Sequence, residues 1–392
     1  MLYQVATGLL ADDEIAAPLR SILSRRKNVD VLMAKVTGVD PQRSLVHVGD
    51  FNVSYDFLIL ATGIRYNYFG HEHWRPIAPG LESLEEADDI RDRILLAYER
   101  AEKLALEGGD ADQVQQLLTF VLVGGGTVGV EMAGTLAEMS RIALRHDFRH
   151  IDPRTARILL YEADERILPT YPASLSAKAQ RHLEALGVQV ITGTRVTEVD
   201  DQGIVADGRR VLASTVLWGA GVLASPAGQW LGAQTDRAGK IIVDPDLSVP
   251  GHSNIFAIGD TAHVVAHTRN LLGIKAKEPA TLPGVAQPAI QEGEYVARLI
   301  RRRIAAQAPP RPFSYRDKGD LAIVGRTYAV ADLRFVRFAG FFAWIVWAAV
   351  HIYFLIGFTN RFLVMVRWGF AFLTKRRQAL IFPGPTPTTP PP

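Results

Sequence analysis

The sequence predicts an α/β protein with two Rossmann-like dinucleotide-binding domains, one inserted in the other, followed by a helical C-terminal segment that anchors the chain to a membrane. Strand and helix patterns alternate through the first 332 residues, which is typical of doubly wound α/β domains. A glycine-rich turn at residues 124–129 lies between an apolar strand and a helix. Residues 338–358 form an apolar run with no formal charge unless His351 is protonated.

The charge of the chain is unevenly distributed. Its 392 residues suit two or three domains with substantial cores, and the formal net charge is only +2. From residue 333 onward there are seven arginine or lysine residues and no aspartate or glutamate, so the first 332 residues carry 2 − 7 = −5. An acidic body with a basic tail indicates a membrane surface or another anionic partner, and the small net charge does not predict nucleic-acid binding.

The chain contains no cysteine, which excludes disulfide bonds, thiolate metal sites and redox relays that use cysteine. No H-E-x-x-H motif or similar spacing is present, so we expect no metal site. No N-terminal targeting segment is visible, and we therefore expect the protein to stay on the cytoplasmic side.

The first domain is predicted at residues 1–117 and 240–332. Its early patterns indicate an amphipathic helix at 13–26 and short strands at 29–40, 44–48 and 53–60. The last strand ends in the small residues Ala61, Thr62 and Gly63. Ser83 and Glu86 have the spacing of a capping box at the start of a long helix.

The pattern of the first domain returns after Gly239. A short apolar strand at 254–258 ends in Gly259 and Asp260, and a helix is predicted within 283–303. The intervening residues 118–239 therefore form an inserted domain.

The inserted domain contains the sequence GGGTVG, which satisfies G-x-G-x-x-G in the strand–turn–helix context that this motif requires. Gly124 permits the tight turn, Gly126 lets the backbone approach a pyrophosphate, and Gly129 allows close packing of helix and strand. The N-terminus of the following helix offers free N–H groups to the phosphates. The alternative is a packing turn without a ligand.

Glu162 ends the next strand, where a carboxylate can accept hydrogen bonds from both ribose hydroxyls. It would repel a 2′-phosphate, so we expect NADH rather than NADPH. Glu162 follows Gly129 by 33 residues instead of the usual 20 or so, and residues 145–154 look like an insertion that accounts for the difference. The alternative is a solvated residue at a strand end.

Three further motifs accompany GGGTVGVE, namely ATG, WGAGVLASP and IFAIGD. In this order they resemble the flavoproteins with two dinucleotide-binding domains. LYQVAT, AQPAIQEG and the C-terminal VHIYFLIGFTNRFLVM resemble, more specifically, the type II NADH dehydrogenases. The resemblance implies FAD and NADH as cofactors, hydride transfer from NADH to FAD, and transfer of two electrons to a membrane quinone without proton pumping.

The resemblance also implies roles for particular residues. Those that would contact the flavin or the nicotinamide nucleotide are Ala61, Thr62, Gly63, Ala220, Gly221, Gly259, Asp260, Ala286 and Gln287. Gln287 and Gln291 would face the flavin and quinone pocket, although residues four apart on a helix can also be solvated. Glu131 would reach the nicotinamide–flavin junction, or it is simply an acid that the helix dipole favours. Lys318 would lie near the quinone, or it is a surface charge.

In the resembling family, LYQVAT follows a strand, a glycine-rich turn and a helix that hold the ADP half of FAD. Since Met1 leaves room for almost nothing before Gln4, we expect a misplaced start or a truncation, with FAD binding weakened. The alternatives are a membrane-attached NADH-binding protein without flavin, or another FAD-dependent NADH reductase. Disulfide reductases and sulfide:quinone reductases need catalytic cysteines, which this chain lacks.

The C-terminal residues 333–382 are predicted to form the membrane anchor. By length and polarity, residues 338–358 qualify as a spanning helix, whereas the second apolar stretch at 362–373 contains Arg367 and is too short. Two helices that lie in the interface, in a possible homodimer at the cytoplasmic face of the inner membrane, are the alternative that the resemblance favours. The Pro/Thr-rich residues 383–392 are expected to be disordered.

Overall fold

The structure is a computed structural model of the chain, and it describes residues 1–374 together with Arg377. The predicted disordered tail at 383–392 lies outside the described residues, as does most of the basic cluster at 375–377.

The first segment of the chain combines short helices with strands and ends in a long helix. Its elements in chain order are α1 (Leu2–Val5), α2 (Asp12–Ile15), α3 (Leu19–Leu23), β1 (Val36–Asp40), β2 (Leu45–Val48), β3 (Phe51–Ser54), β4 (Leu58–Leu60), β5 (Ile64–Tyr66), α4 (Leu84–Leu106) and α5 (Ala111–Leu117). The predicted capping box at α4 is half formed: the Ser83 side chain accepts from the Glu86 N–H at 3.1 Å, but the Glu86 carboxylate accepts from the Glu82 N–H at 2.7 Å instead of from the Ser83 N–H.

Three predictions for this segment are wrong. The expected strand at 53–60 is divided into β3 and β4, which belong to different sheets. The expected helix at 13–26 is divided into α2 and α3, because Pro18 has no N–H to donate and stands at the N-cap of α3. The expected strand at 29–40 is a strand only from Val36. The residues before Val36 are not hydrogen-bonded into a strand, and Met33 is fully exposed at 101 %.

The inserted segment is built on a parallel sheet. Its elements are β6 (Thr119–Val123), α6 (Thr127–Glu138), β7 (Arg157–Tyr161), α7 (Ala173–Ala185), β8 (Val188–Ile191), β9 (Val196–Asp200), β10 (Gly203–Ala206), β11 (Arg209–Leu212), β12 (Thr215–Trp218), β13 (Val222–Ala224) and α8 (Ala227–Leu231). The parallel order is β12-β6-β7-β8. Every residue of β6 is buried, as expected for a central strand covered on both faces.

The third segment returns to the first. Its elements are β14 (Ile241–Ile242), β15 (Ser248–Val249), β16 (His252–Ala257), β17 (Ala262–His263), β18 (Val265–Arg269), β19 (Ala280–Thr281), α9 (Ala286–Ile304) and β20 (Ser314–Arg316). β16 pairs in parallel with β4, with Ile255 opposite Leu58. The inserted segment therefore leaves and rejoins one sheet.

The C-terminal segment starts with an antiparallel sheet and ends with two helices. Its elements are β21 (Asp320–Ile323), β22 (Ala329–Asp332), β23 (Arg337–Gly340), α10 (Phe341–Phe354) and α11 (Phe358–Thr374). The pairing of β22 with β23 joins both sides of the domain boundary that the sequence suggested at residue 332.

The apolar run at 338–358 is not one helix. Its first residues belong to β23, α10 begins after Gly340 at φ +102°, and the chain turns again at Gly357 with φ +88°. Positive φ values interrupt a right-handed helix, and glycine adopts them without strain. Among the described residues, no helix has both the length and the apolar character needed to cross a bilayer.

The two C-terminal helices pack on the rest of the protein through a shared core. Trp347 of α10 and Trp368 of α11 belong to the same buried cluster as Tyr3 of α1 and Leu136 of α6. A hydrogen bond of 3.2 Å from Trp368 Nε1 to Gln4 Oε1 adds a polar contact. The start of the chain is therefore held against its C-terminal helices.

Candidate functional site

The glycine turn at 124–129 joins β6 to α6, and two of its glycines leave no room for a Cβ atom. Gly124 has φ +108°, and a Cβ there would lie 2.6 Å from the Gly219 carbonyl carbon. A Cβ on Gly129 would lie 1.9 Å from the Gly124 carbonyl oxygen. Both glycines are therefore required by backbone packing, which agrees with the roles that the motif predicts.

Gly126 differs from its neighbours because a Cβ there would meet no atom within 4 Å. It is the N-cap of α6, and no side chain caps the helix. The first N–H groups of α6 are thus free of side-chain acceptors, next to open space. This is the arrangement in which a helix N-terminus receives a phosphate.

Glu162 lies beside the turn, as the sequence predicts. Its Oε2 accepts from the Gly125 N–H at 2.5 Å, and its Oε1 accepts from the Asp164 N–H at 2.9 Å. These bonds fix the carboxylate at the end of β7, next to the free N-terminus of α6. A ribose bound next to a pyrophosphate at this turn would meet the carboxylate.

The loop 219–221 covers the other side of the glycine turn. Gly221 has φ +68°, and Trp218 Nε1 donates to the carbonyls of Ala220 at 2.8 Å and Asn67 at 3.0 Å. A Cβ on Gly221 would lie 2.5 Å from the ring of Phe69. The contact with residues 67–69 was not predicted, because it links positions about 150 apart without a motif.

The ATG turn of the first segment meets the inserted segment directly. Thr62 Oγ1 lies 2.5 Å from Ser225 Oγ and 3.2 Å from Thr261 Oγ1, while the Gly63 N–H donates to Thr261 Oγ1 at 2.9 Å. The Ser225 N–H also donates to the Gly63 carbonyl at 3.2 Å. The ATG turn, the WGAGVLASP loop and the turn after β16 therefore form one hydrogen-bonded group.

The Gly259-Asp260 turn lies at a narrow pocket between the end of β16 and the start of α9. The pocket is lined on its polar side by Lys240, Asp260 and Glu292. A Cβ on Gly284 would lie 2.6 Å from Asp260 Oδ1 and 3.2 Å from Lys240 Nζ. Because Gly284 has no Cβ, the backbone comes close to both charged groups. A polar ligand group in this pocket would contact the Asp260 carboxylate and the Lys240 ammonium group.

Glu292 is a functional candidate that the sequence did not reveal. It is 1 % exposed, and its Oε2 accepts from the Gly259 N–H at 2.6 Å. Burial raises its pKa to about 7, and the nearby charge of Asp260 adds to the rise. Glutamates are frequent on helices, so no sequence signal distinguishes Glu292 from the exposed Glu294.

The two glutamines of AQPAIQEG have different environments. Ala286 and Gln287 stand in the first turn of α9, and Gln287 Oε1 is buried without a hydrogen-bond partner. An unpaired buried acceptor is costly, so this oxygen is available to a ligand donor. Gln291, in contrast, uses both ends of its amide on the backbone of Arg316, at 3.0 and 2.9 Å.

Glu131 lies near the start of α6 and is partly buried. Burial raises its pKa to about 7, although the positive amino terminus and the Ile323 N–H, 3.4 Å from Oε1, oppose the rise. A group that titrates near neutrality can both hold and release a proton at the working pH. The simple helix-dipole explanation does not account for this environment.

Lys318 lies with its Nζ 4.9 Å from the centre of the Phe354 ring at the end of α10. The residues around it are held by Arg334, which pairs with Asp317 and Asp320 at 2.7 Å and with Asp332 at 3.3 Å. Lys318 makes none of these ion pairs, so the aspartates paired with Arg334 do not neutralise its charge.

Residues 1–374 and Arg377 contain no group of three His, Asp or Glu side chains placed to hold a metal ion. The described residues also contain one G-x-G-x-x-G turn, that of the inserted segment.

Comparison with known families gives two matches. Residues 1–293 match the family described as pyridine nucleotide-disulphide oxidoreductase, and residues 318–377 match the NDH2 C-terminal domain. The second match begins at Lys318, shortly before β21, rather than at the boundary near 332 that the sequence suggested.

Similar proteins include the type II NADH:quinone oxidoreductase Ndh of Mycobacterium tuberculosis, which is 41 % identical over 97 % of this chain and 81 % of that protein. The type II NADH:quinone oxidoreductase of Staphylococcus aureus is 28 % identical over 83 % of this chain and 77 % of that protein.

Among solved structures, NDH2 from Plasmodium falciparum in complex with NADH superposes with a TM-score of 0.84. That match has 21 % identity and covers 97 % of this chain and 91 % of that chain. The sulfide:quinone oxidoreductase of Aquifex aeolicus has a TM-score of 0.64 with 16 % identity, over 92 % of this chain and 82 % of that chain. Both similarities concern the fold.

Proposed function

Because this chain belongs to the type II NADH:quinone oxidoreductases, which use FAD, we propose that it binds NADH at the 124–129 turn and the flavin ring between the ATG turn and α9. The observation that carries this assignment is the hydrogen bond between Thr62 and Ser225. It joins the turn at the edge of the flavin domain to the loop that covers the nucleotide turn. Two cofactors held on either side of this contact would lie next to each other, as hydride transfer requires.

The NADH side fits the residues present. Gly126 leaves open space at the N-terminus of α6, and Glu162 supplies a carboxylate at the ribose position. The pyrophosphate would accept from the free N–H groups of α6, and the ribose hydroxyls would donate to Glu162. The loop of Ala220 and Gly221 would border the nicotinamide end.

The flavin side fits as well. Gln287 Oε1 is a buried acceptor without a partner, and the first turn of α9 has no side-chain cap. The edge of a flavin ring offers an N–H donor and carbonyl acceptors, which match this oxygen and the N–H groups of the helix. When bound, FAD supplies a ring that takes up a hydride from NADH and passes two electrons to a quinone.

Reduction of a quinone to a quinol also takes up two protons. Burial raises the pKa of Glu131 to about 7, as it does that of Glu292, and Oε1 of Glu131 is already oriented by the Ile323 N–H. We assign Glu131 the role of holding a proton at its other oxygen, and Lys318 that of a positive charge near the quinone. Gln291 holds β20, which precedes Lys318, and so acts on position rather than on the substrate.

NADH preference gives the direct test of the nucleotide site. Replacing Glu162 with glutamine keeps an acceptor for the Gly125 N–H but removes the charge that meets the ribose. We expect KM for NADH to rise on the order of tenfold, because a hydrogen bond to a charged group is lost, and the ratio of NADPH to NADH turnover to rise similarly. Steady-state assays with a soluble quinone measure both.

The matched control for this variant is Glu165→Gln, an exposed glutamate three residues further along the chain. It should leave both kinetic constants unchanged. If Glu162→Gln changes neither KM nor the NADPH ratio, Glu162 does not meet the ribose, and the assignment of this turn to NADH loses its support.

The exposed apolar surface of α10 and α11 supports attachment to a membrane at the cytoplasmic face. Its most exposed side chains are Phe342, Tyr353, Ile356, Phe358, Phe362, Met365 and Leu373. A continuous apolar surface of this kind marks a membrane or a protein interface. Two short helices suit an anchor that lies in the bilayer surface, where a membrane quinone can be reached.

Washing of vesicle-bound protein tests the anchor. We expect the protein to resist high salt and carbonate, because apolar burial rather than charge holds it. The double variant Phe342→Asp/Phe358→Asp should be released, whereas Met33→Asp, at an exposed position outside these helices, should not. Easy release of the unmodified protein, together with a dimer in solution, would instead assign this surface to a homodimer contact.

A further inference from the structure

A cleft lies where α1, α6, α10, α11 and the turn between β21 and β22 meet. The space that a water-sized sphere can occupy inside it is about 50 Å³, and the cleft is open at its mouth. Its apolar walls include Trp344, Trp347, Trp368 and Phe372, and its polar lining includes Tyr3, Glu138, Arg326 and Arg377. None of these residues belongs to the nucleotide or flavin sites described above.

Three of the lining residues have buried polar atoms without a hydrogen-bond partner. They are Tyr3 Oη, Trp347 Nε1 and Arg326 Nε. Tyr3 is 4 % exposed and Trp347 is 1 % exposed, so water in bulk does not satisfy them. All three atoms can donate, and leaving a buried donor unpaired is costly. A ligand with acceptor oxygens would satisfy these donors.

The charge of the cleft favours an anion. Arg326 and Arg377 both line it, and Glu138 is the acidic residue among the described lining. Arg377 donates to the carbonyls of Thr7 at 2.6 Å and Thr135 at 2.8 Å, which are neutral acceptors. Burial lowers the pKa of Arg377 to about 10, and burial also raises the pKa of Glu138. Positive charge is thus in excess here, in a setting where screening is weak.

The walls of the cleft lead outward along aromatic rings. Trp344 and Phe372 stack at 5.8 Å, and Phe372 lies 6.4 Å from Phe341. Phe341 is 47 % exposed, on the surface of α10. A ligand with its head among the donors could therefore continue as an apolar chain to the exposed surface of the two helices.

The cleft is separate from the quinone side of the protein. Lys318 contacts Phe354 at the end of α10, whereas Trp344 stands ten residues earlier, about 15 Å along the helix. On α6, Glu138 follows Glu131 by seven residues, or about 10 Å. Ile323 also lines the cleft, and its N–H lies 3.4 Å from Glu131 Oε1, so the cleft reaches the surroundings of Glu131 but not the contact of Lys318 with Phe354.

We propose that this cleft binds an amphiphile with an anionic oxygen head, held by Tyr3, Arg326 and Trp347, and an alkyl chain that runs along Trp344 and Phe372. The head could be the carboxylate of a fatty acid or the phosphodiester of an anionic phospholipid. Bound there, the molecule ties α10 and α11 to α1 and α6, and so orders the C-terminal helices against the catalytic body.

Quenching of tryptophan fluorescence by brominated amphiphiles tests the proposal, because three of the six tryptophans line the cleft. The FAD-loaded protein in phosphatidylcholine nanodiscs is titrated with dibromostearate, or with dibrominated phosphatidylglycerol in place of part of the lipid. We expect saturable quenching above that of dibrominated phosphatidylcholine. Saturation by stearate identifies a fatty acid head, and saturation by the glycerol lipid identifies a phosphodiester.

The decisive variant is Tyr3→Phe. It removes a hydroxyl whose polar neighbour in the protein is the Gln4 amide, which already accepts from Trp368, so folding should not suffer, but affinity should fall on the order of tenfold. Arg326→Lys is the second variant, which keeps the charge but removes Nε, and it should weaken binding similarly. Tyr295→Phe is the matched control, because Tyr295 Oη is also buried without a partner but lies in a different core.

Three results would overturn the proposal. The first is equal quenching by brominated phosphatidylcholine, which shows unspecific contact with lipid. The second is unchanged affinity in both Tyr3→Phe and Arg326→Lys. The third is displacement of dibromostearate by a neutral soluble quinone at lower concentrations than stearate itself, which would make the cleft a second quinone site.

Discussion

Replacing Gly124 with alanine is expected to destabilise the inserted domain and to abolish most NADH oxidation. Alanine at φ +108° costs about 1–2 kcal/mol. Its Cβ would also lie 2.6 Å from the Gly219 carbonyl carbon and 2.8 Å from the Ala220 nitrogen, and overpacking of this kind costs about 1–3 kcal/mol. Because both neighbours are backbone atoms, the 219–221 loop must move rather than a side chain.

The functional loss should exceed the loss of stability. In the proposed site the 219–221 loop borders the nicotinamide end, and it is held by the bond from Trp218 Nε1 to the carbonyl of Asn67. A displacement on the order of 1 Å can lower turnover on the order of a hundredfold, because hydride transfer depends on distance and orientation. The measurements are kcat/KM for NADH with a soluble quinone and the melting temperature of the same sample.

Gly126→Ala is the matched control in the same turn. Its Cβ would meet no atom within 4 Å, and its φ of −68° suits any residue. We expect the melting temperature to stay within a few degrees, while KM for NADH rises because the backbone of Gly126 approaches the pyrophosphate. If Gly124→Ala melts and turns over like the unmodified protein, the contact between the two loops is not required.

These two glycines show how far the sequence alone leads. The spacing of GGGTVG and the apolar strand before it predict the turn and its ligand, because local geometry determines both. The contact of Gly124 with Gly219 does not follow from either motif. It depends on the pairing of β12 with β6, in which Trp218 lies opposite Val123. This pairing joins residues far apart in the sequence.

The C-terminal segment shows the opposite case, in which composition misleads. Residues 338–358 have the length and polarity of a spanning helix, yet the chain forms β23, turns at Gly340 and turns again at Gly357. Mean hydropathy is calculated from residue types alone, so it does not register the two turns that divide this segment. β23 pairs with β22, from Arg337 opposite Asp332 to Gly340 opposite Ala329. The first residues of the apolar run therefore form a strand, and α10 begins only after them.

The site residues divide in the same way. Glu162 is predicted from its place at a strand end, whereas the role of the ATG turn is predicted from the resemblance to the flavoproteins. Gln291 belongs to a recognisable motif, but its bonds to Arg316 depend on β20, which the sequence did not reveal. Glu292 and Tyr3 were not singled out, because burial and missing partners leave no pattern in the sequence.

Replacing Glu292 with glutamine is expected to stabilise the protein at alkaline pH. The folded carboxyl has a pKa of about 7 against an ordinary 4.5, so the folded state binds more protons than the unfolded state between these values. Its contribution to stability is therefore complete below pH 4.5 and is lost as the pH rises through 7. The difference of 7 − 4.5 = 2.5 units corresponds to about 3 kcal/mol.

Glutamine cannot ionise, and its carbonyl oxygen can still accept from the Gly259 N–H. At pH 5 the variant and the unmodified protein should therefore differ little in free energy of unfolding. At pH 8 the variant should be more stable by up to about 3 kcal/mol, less the difference between a charged and a neutral acceptor. Urea midpoints measured from pH 5 to pH 8.5, at the same saturating FAD concentration, follow this difference.

Glu294→Gln is the matched control, since Glu294 is exposed on the same helix and should show no pH-dependent difference. Glu131, whose pKa is raised to a similar value, is unchanged in both variants, so its contribution cancels in the comparison. A Glu292 variant that is less stable than the unmodified protein at pH 8 would mean that the ionised carboxylate stabilises the Gly259-Asp260 turn by more than its burial costs. In that case the raised pKa would be wrong, and the turn that supports the flavin side would depend on a buried charge.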